Sequence, residues 1–230
     1  MTRAYTMLAV IWSIMAGPQG AQAQVPFKHD FDDGGTESWV ETRLAQRPTR
    51  FEVVAVDSGS ALRATSDRGA SALLNSVRIE LGDRAIIRWR WRVERSIPGN
   101  DRERERGGDD YAARLFVIFD DDRLGPDTRA ICYVWAAHEP IGSAYRNPFF
   151  GRVATVVLES GDTFAGEWLT EERDFVADYR QLFGEAPVTL RAVALMVDTD
   201  NTNSRAVAWF DDITVTVRPT PSEATAATDR

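Results

Sequence analysis

The sequence predicts an all-β protein, a jelly-roll-like sandwich of two β-sheets with one short helix. Short runs alternate apolar and polar residues, and Gly, Asp, Asn and Pro separate them, as in strands joined by turns. Only one segment carries helix signals. Many strands with a single minor helix favour two packed sheets.

The alternation predicts strands at 51–56, 60–65, 85–94, 111–119, 129–136, 152–158 and 188–197. In the third of these, Trp89 and Trp91 share one face, which we expect to be core, while arginines occupy the other. The fourth and fifth are expected to form a hairpin around 120–127. The last is apolar on both faces, which is typical of a covered central strand.

The helix signals lie at 178–184. Asp178 is expected to cap the helix, and Gly184 to end it in the left-handed conformation. The segment 97–108 is charged and poor in apolar residues, so we predict that it is disordered. Residues 218–230 are predicted to be a disordered tail.

The N-terminus has the pattern of a secretory signal peptide at 1–23. Arg3 precedes a short apolar run at 7–16, and Ala21 and Ala23 offer a cleavage site near Ala23. The apolar run is too short to span a bilayer, so we expect no membrane insertion after cleavage. We therefore expect a periplasmic or secreted protein with a single β-sandwich domain at 24–217.

The chain is acidic, with 35 Asp and Glu against 27 Lys and Arg and a formal net charge of −8. Nucleic acids and anionic membrane surfaces are poor partners for such a surface. Neutral saccharides, cations and basic partners remain open. The single cysteine, Cys132, lies in an apolar run, and we expect it to be buried and unreactive.

The last two apolar segments, at 194–197 and 205–217, are predicted to form a hairpin around an acidic turn. Asp198 and Asp200 are two residues apart and would project to one side, where they could bind a cation or sugar hydroxyls. Asn201 follows them in the same turn. The alternative is an ordinary polar turn that satisfies its own backbone donors.

Asp211 interrupts the last strand on the face expected for Trp209 and Ile213. A buried unpaired carboxylate is costly, so either a bulge redirects it or a positive group neutralises it. Asp30 and Asp32 could share a structural calcium ion with Asp211. A salt bridge to an arginine is the alternative.

Asp109, Asp110 and Arg114 follow two glycines that would let a ligand approach the backbone. Alternation places Asp110 and Arg114 on one face, where they could contact a polar ligand or each other. Trp135 and Trp168 lie near strand ends and are expected to stack on a ligand. No nucleophile–histidine arrangement or histidine metal pair is apparent, so no catalytic residue is assigned.

Several motifs together resemble the DUF3047 family, a group of exported bacterial domains with no assigned activity. The matching residues are 89–93, 108–114, 133–135, 166–168, Arg173, Asp178, Tyr179, Phe183, Gly184 and 198–202. The resemblance implies an exported bacterial domain without established biochemistry. It also favours 198–202 as a site, because a family motif in a loop is more often functional than structural.

We therefore expect an exported domain that binds a polar ligand, a saccharide in particular. The expected contacts are Asp109, Asp110, Arg114, Trp135, Trp168, Asp198, Asp200 and Asn201. One alternative is a glycan-cleaving enzyme with two nearby carboxylates. Another is a non-catalytic structural or interaction protein of the envelope, which would expose a large apolar patch.

Overall fold

The computed structural model describes residues 23–57, 59–119 and 127–218 as two β-sheets packed face to face. The strands are β1 (Gln24–His29), β2 (Val40–Arg43), β3 (Arg50–Val56), β4 (Gly59–Asp67), β5 (Ala70–Glu80), β6 (Arg84–Val93), β7 (Ala113–Ile118), β8 (Ala130–Ala136), β9 (Ala144–Arg146), β10 (Val153–Ser160), β11 (Leu169–Asp174), β12 (Thr189–Asp198) and β13 (Arg205–Arg218). The helix is α1 (Phe175–Phe183), and Arg106–Gly108 forms one turn of 3-10 helix. Most of the predicted signal peptide and tail, at 1–22 and 219–230, and most of the predicted hairpin loop, at 120–126, lie outside the described residues.

One sheet has six strands. Five of them follow the order β11-β6-β13-β4-β3, and the sixth, β1, pairs with the C-terminal part of β13. The other has seven strands in the order β2-β5-β12-β7-β8-β10-β9. All neighbours are antiparallel except β8 and β10, which are parallel. This arrangement confirms the predicted all-β, jelly-roll-like sandwich with one short helix. The predicted pairing of β7 with β8 is also confirmed.

The main core lies between the two sheets. Trp89 and Trp91 are fully buried there, and their rings meet edge to face at 5.4 Å. Aromatic pairs in this geometry add to the stabilisation from burial alone. The prediction that these two residues are core is therefore confirmed. β12, the predicted central strand, lies between β5 and β7 and is buried on both faces.

A second apolar layer covers the outer face of the seven-stranded sheet. Many of its residues are small, so neighbouring loops can pack closely against the sheet. The buried residues of this layer are Ala70, Ala72, Leu74, Tyr111, Phe116, Ile118, Ala130, Cys132, Val134, Ala136, Val153, Val157, Ala192, Ala194 and Met196. Cys132 is buried as predicted, and burial raises the pKa of its thiol to about 12.

The charged segment 97–108 is ordered and covers part of this layer, so the prediction of disorder is wrong. Glu103 is 1% exposed, and its carboxylate accepts hydrogen bonds from the backbone N–H groups of 137–139 at 2.6 to 3.0 Å. Asn100 donates to the carbonyl oxygens of Gly108 and Asp110. These polar contacts, together with the burial of Ile97 in the main core, fix this segment.

The predicted closing hairpin does not exist, because β12 and β13 belong to different sheets. The connecting residues 199–204 cross from one sheet to the other. The hydroxyl of Thr199 accepts from the backbone N–H of Arg68 at 3.0 Å and meets the hydroxyl of Ser66 at 2.7 Å. Alternation identified both strands correctly, but it carries no information about which sheet each one joins.

A bulge at Asp211 and Asp212 changes the face of the last strand. The pairing of β13 with β6 shifts register between Asp211 and Thr214, and Asp212 adopts a positive φ of 51°. Asp211 therefore lies with Trp209 on the outer face, whereas Ile213 points into the core. The expectation that Asp211 shares a face with Ile213 is wrong, and the bulge is the reason.

Helix α1 begins one turn earlier than expected. Asp174 caps it by accepting from the backbone N–H of Ala177, so the predicted cap at Asp178 is wrong. Gly184 ends the helix at a positive φ of 78°, as predicted. Within the described part of the chain, no helix is long and apolar enough to cross a membrane.

Candidate functional site

A cleft of about 230 Å³ lies over the outer face of the seven-stranded sheet. It gathers residues from five separate segments: the end of β2, the start of β5, the start of β7, the β9–β10 turn and the end of β12. Its lining residues are Leu44, Ala70, Asp109, Arg114, Phe116, Asn147, Phe149, Phe150, Val153, Met196, Asp198, Asp200 and Asn201. Five of the eight ligand-binding residues predicted from sequence therefore line one cavity.

Arg114 is the centre of the polar wall. Its Nε donates to Asp198 Oδ1 at 2.8 Å and its Nη2 to Asp198 Oδ2 at 2.5 Å. Nη2 also donates to the backbone carbonyl of Asp109, and the Asp109 carboxylate lies 3.4 Å away. The guanidinium packs over the ring of Tyr111, with its carbon 4.3 Å from the ring centroid. These contacts fix the guanidinium from several sides.

The charges of this wall hold one another in place. Burial alone would lower the pKa of Arg114, but Asp109 and Asp198 raise it well above its ordinary value, so the guanidinium stays charged. Burial raises the pKa of Asp109, and the nearby Arg114 opposes that shift. Asp198, Arg114 and Asp109 are all at most 5% exposed. Such a network is strong only while all its members are present.

Asp110 does not pair with Arg114, contrary to one expectation. Its Oδ2 accepts from the backbone N–H and the hydroxyl of Thr202, both at 2.6 Å. Its Oδ1 accepts from the backbone and side-chain N–H groups of Asn201 at 3.3 and 3.0 Å. Ala112 and Ala113 both pack in the inter-sheet core, so the expected alternation fails before β7 begins. Asp110 instead fixes the tip of the crossing loop.

Asp200 is the least constrained carboxylate in the cleft. It is half-buried, and no side chain among the described residues donates a hydrogen bond to it. Burial, and then the negative charge of Asp110, raise its pKa. It also lines an adjoining shallow groove with Arg47 and Arg68. Asp200 is thus an acceptor that faces solvent from a fixed loop.

The β9–β10 turn contributes an aromatic rim that was not predicted from sequence. Asn147 donates to Asp109 Oδ2 at 2.8 Å, and its Oδ1 accepts from the backbone N–H groups of Phe149 and Phe150 at 2.9 Å. Phe149 is 42% exposed, and Leu44 across the cleft is 41% exposed. The consecutive phenylalanines at 149–150 were the one signal that could have indicated this rim.

Asp110, Asp198 and Asp200 each place a carboxylate oxygen within 4.8 Å of the others, a spacing that could hold a metal ion. Asp110 and Asp198 already accept several protein hydrogen bonds, so a metal would have to displace them. Only Asp200 offers a carboxylate without a protein side-chain donor. These donors therefore fit a cation less well than their spacing suggests.

The three aspartates predicted to bind calcium, Asp30, Asp32 and Asp211, do not form a cluster of carboxylates. Asp30 pairs with Lys28 at 2.7 Å, and Asp32 accepts from the backbone N–H of Ser60 at 2.8 Å. Arg90 neutralises Asp211, as the salt-bridge alternative expected. Among the described residues, no acidic group of the spacing seen in the cleft includes any of these three aspartates.

Neither predicted tryptophan lies in the cleft. Trp135 is 1% exposed, packs in the core beside Trp91 and donates its Nε1 to the carbonyl of Gly161, so it cannot stack on a ligand. Trp168 is partly exposed, but it lies on the outer face of the other sheet. There the guanidinium groups of Arg90 and Arg92 pack over its ring.

The family model described as protein of unknown function (DUF3047) matches residues 37–214. The chain belongs to this family. The match spans β2 to most of β13 and includes every lining residue of the cleft. No curated protein matches the DUF3047 chain.

Several solved structures are similar in shape to this DUF3047 chain. The CBM22-1 xylan-binding domain of Xyn10C from Paenibacillus barcinonensis is 12% identical, with a TM-score of 0.45, and the match covers 89% of this chain and 99% of that one. The family 11 carbohydrate-binding module of Lic26A-Cel5E from Clostridium thermocellum is 10% identical, with a TM-score of 0.47 and coverage of 87% and 96%. The cellulose induced protein Cip1 is 10% identical, with a TM-score of 0.49 and coverage of 82% and 96%.

Proposed function

We propose that this domain binds a hydroxyl-rich polar ligand, a saccharide, in the cleft on the seven-stranded sheet. The observation that carries the proposal is the position of Asp200. No side chain of the described residues donates to this carboxylate, which lies beside an apolar rim that includes Phe149 and Leu44. A sugar has the matching features, since its hydroxyls donate hydrogen bonds and its C–H faces pack against aromatic rings.

The frame around Asp200 supports this proposal because it is already ordered. Asp110 fixes Asn201 and Thr202, and Arg114 fixes Asp198, so the polar groups need little rearrangement to meet a ligand. A preorganised site avoids much of the entropy cost of binding. Asn201 adds an amide beside Asp200, and amide and carboxylate groups together can contact neighbouring hydroxyls.

The same contacts favour binding over glycan cleavage. Most glycosidases need two carboxylates that are free to act on the substrate. In the cleft, Asp109, Asp110 and Asp198 are each engaged by protein donors, and Asp200 alone has none from a side chain. Among the described residues of the cleft, the exposed large apolar ones are Leu44 and Phe149, so the cleft does not form the large apolar patch expected of an envelope interaction protein.

We further propose that the chain is exported and cleaved near Ala23, on the strength of the N-terminal sequence pattern. Expression of the full chain with a C-terminal tag, followed by cell fractionation and mass spectrometry, tests this. A periplasmic or secreted product that begins near Gln24 is the expected result. An intact N-terminus in the cytoplasm would contradict export.

Binding in the cleft is tested with purified 24–218 on a glycan array, followed by calorimetry on each hit with and without a chelator. Asp200→Asn should weaken binding at least about tenfold, because a charged acceptor becomes a neutral amide. Asp83→Asn, an exposed carboxylate outside the cleft, is the matched control. Failure of every glycan to bind, or equal binding by Asp200→Asn, would refute the proposal.

A further inference from the structure

A row of stacked side chains crosses the outer face of the six-stranded sheet, opposite the cleft. Arg92 on β6 lies directly beside Trp209 on β13. Trp168 immediately precedes β11, which pairs with the other edge of β6. Because β6 lies between β11 and β13, the two indoles flank Arg92 from opposite sides. The guanidinium carbon is 5.2 Å from the Trp168 ring centroid and 4.2 Å from that of Trp209.

This stacking leaves the hydrogen-bonding edge of Arg92 without a partner. Cation–π contacts use the faces of a guanidinium, whereas its N–H groups point outward in its own plane. Nε of Arg92 is buried and makes no hydrogen bond, and no carboxylate of the described residues forms an ion pair with the side chain. The side chain is partly exposed. Its terminal amino groups therefore form a fixed pair of donors, and none of the described residues accepts a hydrogen bond from them.

The neighbouring arginines differ from Arg92 in this respect. Arg90 forms ion pairs with Asp211 and Asp212, and Arg63 pairs with Glu52 at 2.6 Å. Among the described residues, Arg92 is thus an uncompensated charge between the neutralised Arg90 and Arg63. Arg88, further along β6, also forms no ion pair there, but it is exposed and no aromatic ring holds it. The chain as a whole is acidic, with a formal net charge of −8. This positively charged side chain is nevertheless held in place by the rings of Trp168 and Trp209.

We propose that Arg92, with Trp168 and Trp209 on either side, binds the carboxylate of an acidic saccharide. A planar guanidinium matches a carboxylate through two parallel hydrogen bonds, and the indole edges offer apolar contact to the sugar ring. An acidic peptide fits less well. Extended peptides usually bind sheets by adding to a free edge, and β6 has a strand on both sides.

This surface is independent of the cleft, since the two lie on outer faces of different sheets. Calorimetry of purified 24–218 at low salt, with a short oligogalacturonate as probe, tests it. Arg92→Met keeps the apolar stem and removes the fork, so affinity should fall at least about tenfold. Trp168→Ala should weaken binding as well, and added salt should weaken it in the wild type.

Three controls separate the alternatives. The methyl ester of the same oligosaccharide, which lacks the carboxylate charge, should not bind. Arg78→Met, an exposed arginine on the other sheet, and Asp83→Asn, an exposed carboxylate outside the cleft, should both bind as the wild type does. If Arg92→Met does not fold, Arg92→Lys replaces it, because lysine keeps the charge and loses the planar fork.

Three results would overturn the proposal. The first is no binding of oligogalacturonate to the wild type at low salt. The second is undiminished binding by Arg92→Met, or by Arg92→Lys where the first variant does not fold. The third is equally tight, Arg92-dependent binding of polyglutamate, which would assign the surface to acidic peptides. Loss of cleft binding in Asp200→Asn bears only on the proposed function.

Discussion

Arg114 and Asp198 form a bidentate ion pair that is buried beneath the cleft and joins the start of β7 to the end of β12. The two hydrogen bonds measure 2.8 and 2.5 Å, and the side chains are each 3% exposed. Asp109 lies beside Arg114, and Asn147 links Asp109 to the backbone of Phe149 at the rim of the cleft. The pair is therefore the support of the site rather than its contact surface.

Replacing Arg114 by Met should destabilise the protein strongly. Asp109 and Asp198 would remain buried without their cation, and breaking a buried pair in this way costs about 3–5 kcal/mol. Urea unfolding measures the change, with Arg78→Met as control. Adding Asp198→Leu to this variant should recover part of the lost stability, because it removes one of the buried carboxylates that lack a cation. A single-variant loss below about 1 kcal/mol would show that the pair is not structural.

Asp200→Asn should leave the folded state as stable as the wild type, or more stable, at neutral pH. Burial and the charge of Asp110 raise the pKa of Asp200, so the folded protein favours its protonated form. Ionisation above the unfolded pKa therefore works against folding, and asparagine removes that effect. Thermal unfolding at neutral pH, with Asp83→Asn alongside, checks this. Marked destabilisation would mean that Asp200 holds the loop instead of facing a ligand.

Glu159 should make stability fall as the pH rises from about 4.5 towards 7. Burial, and then the negative charge of Glu171, raise the pKa of Glu159 from 4.5 to about 7. In that window the folded protein binds more protons than the unfolded chain, so rising pH favours unfolding. Glu159→Gln should flatten the dependence in urea titrations, and Glu172→Gln should not. An unchanged slope in Glu159→Gln would contradict the assignment.

Glu103→Ala should loosen the turn at 137–139. Three backbone N–H groups would lose their acceptor, and leaving buried donors unpaired costs about 1–3 kcal/mol. Hydrogen exchange of those three amides should accelerate relative to the wild type. Glu105→Ala, an exposed glutamate in the same loop, is the control. Equal protection in both variants would show that the turn is held by other contacts.

The sequence predicted strands that show either alternating polarity or, as in β12, a continuous apolar run. Trp89 and Trp91 alternate with arginines, and the inward side is fixed by that contrast. β5 was missed because Ser71 and Asn75 interrupt its buried residues 70–75, which therefore show neither alternation nor a continuous apolar run. The short strands β1, β2, β9 and β11 carry too few residues for a periodic signal. Local patterns also could not assign β12 and β13 to different sheets, since that depends on distant partners.

The polar wall was predicted better than the apolar rim. Asp109, Arg114, Asp198, Asp200 and Asn201 were identified from chemistry and motif, and the fold brings them together. Phe149 and Asn147 come from a turn whose proximity depends on the parallel pairing of β8 and β10. Trp135 was misplaced because a strand end in sequence can lie deep between the sheets. Glu103 was misjudged because composition does not show which donors a carboxylate will meet.

The crossing of 199–204 between the sheets sets the order in which the molecule can be assembled. Arg114 pairs with Asp198, which lies 84 residues later in the sequence, and Asp110 bonds to Thr202, which lies 92 residues later. A ribosome exposes Arg114 long before Asp198 has been synthesised. Contacts of such long sequence separation slow folding, because the loop must close before the contact contributes. The cleft accordingly forms late in folding, only after nearly the whole domain has been synthesised.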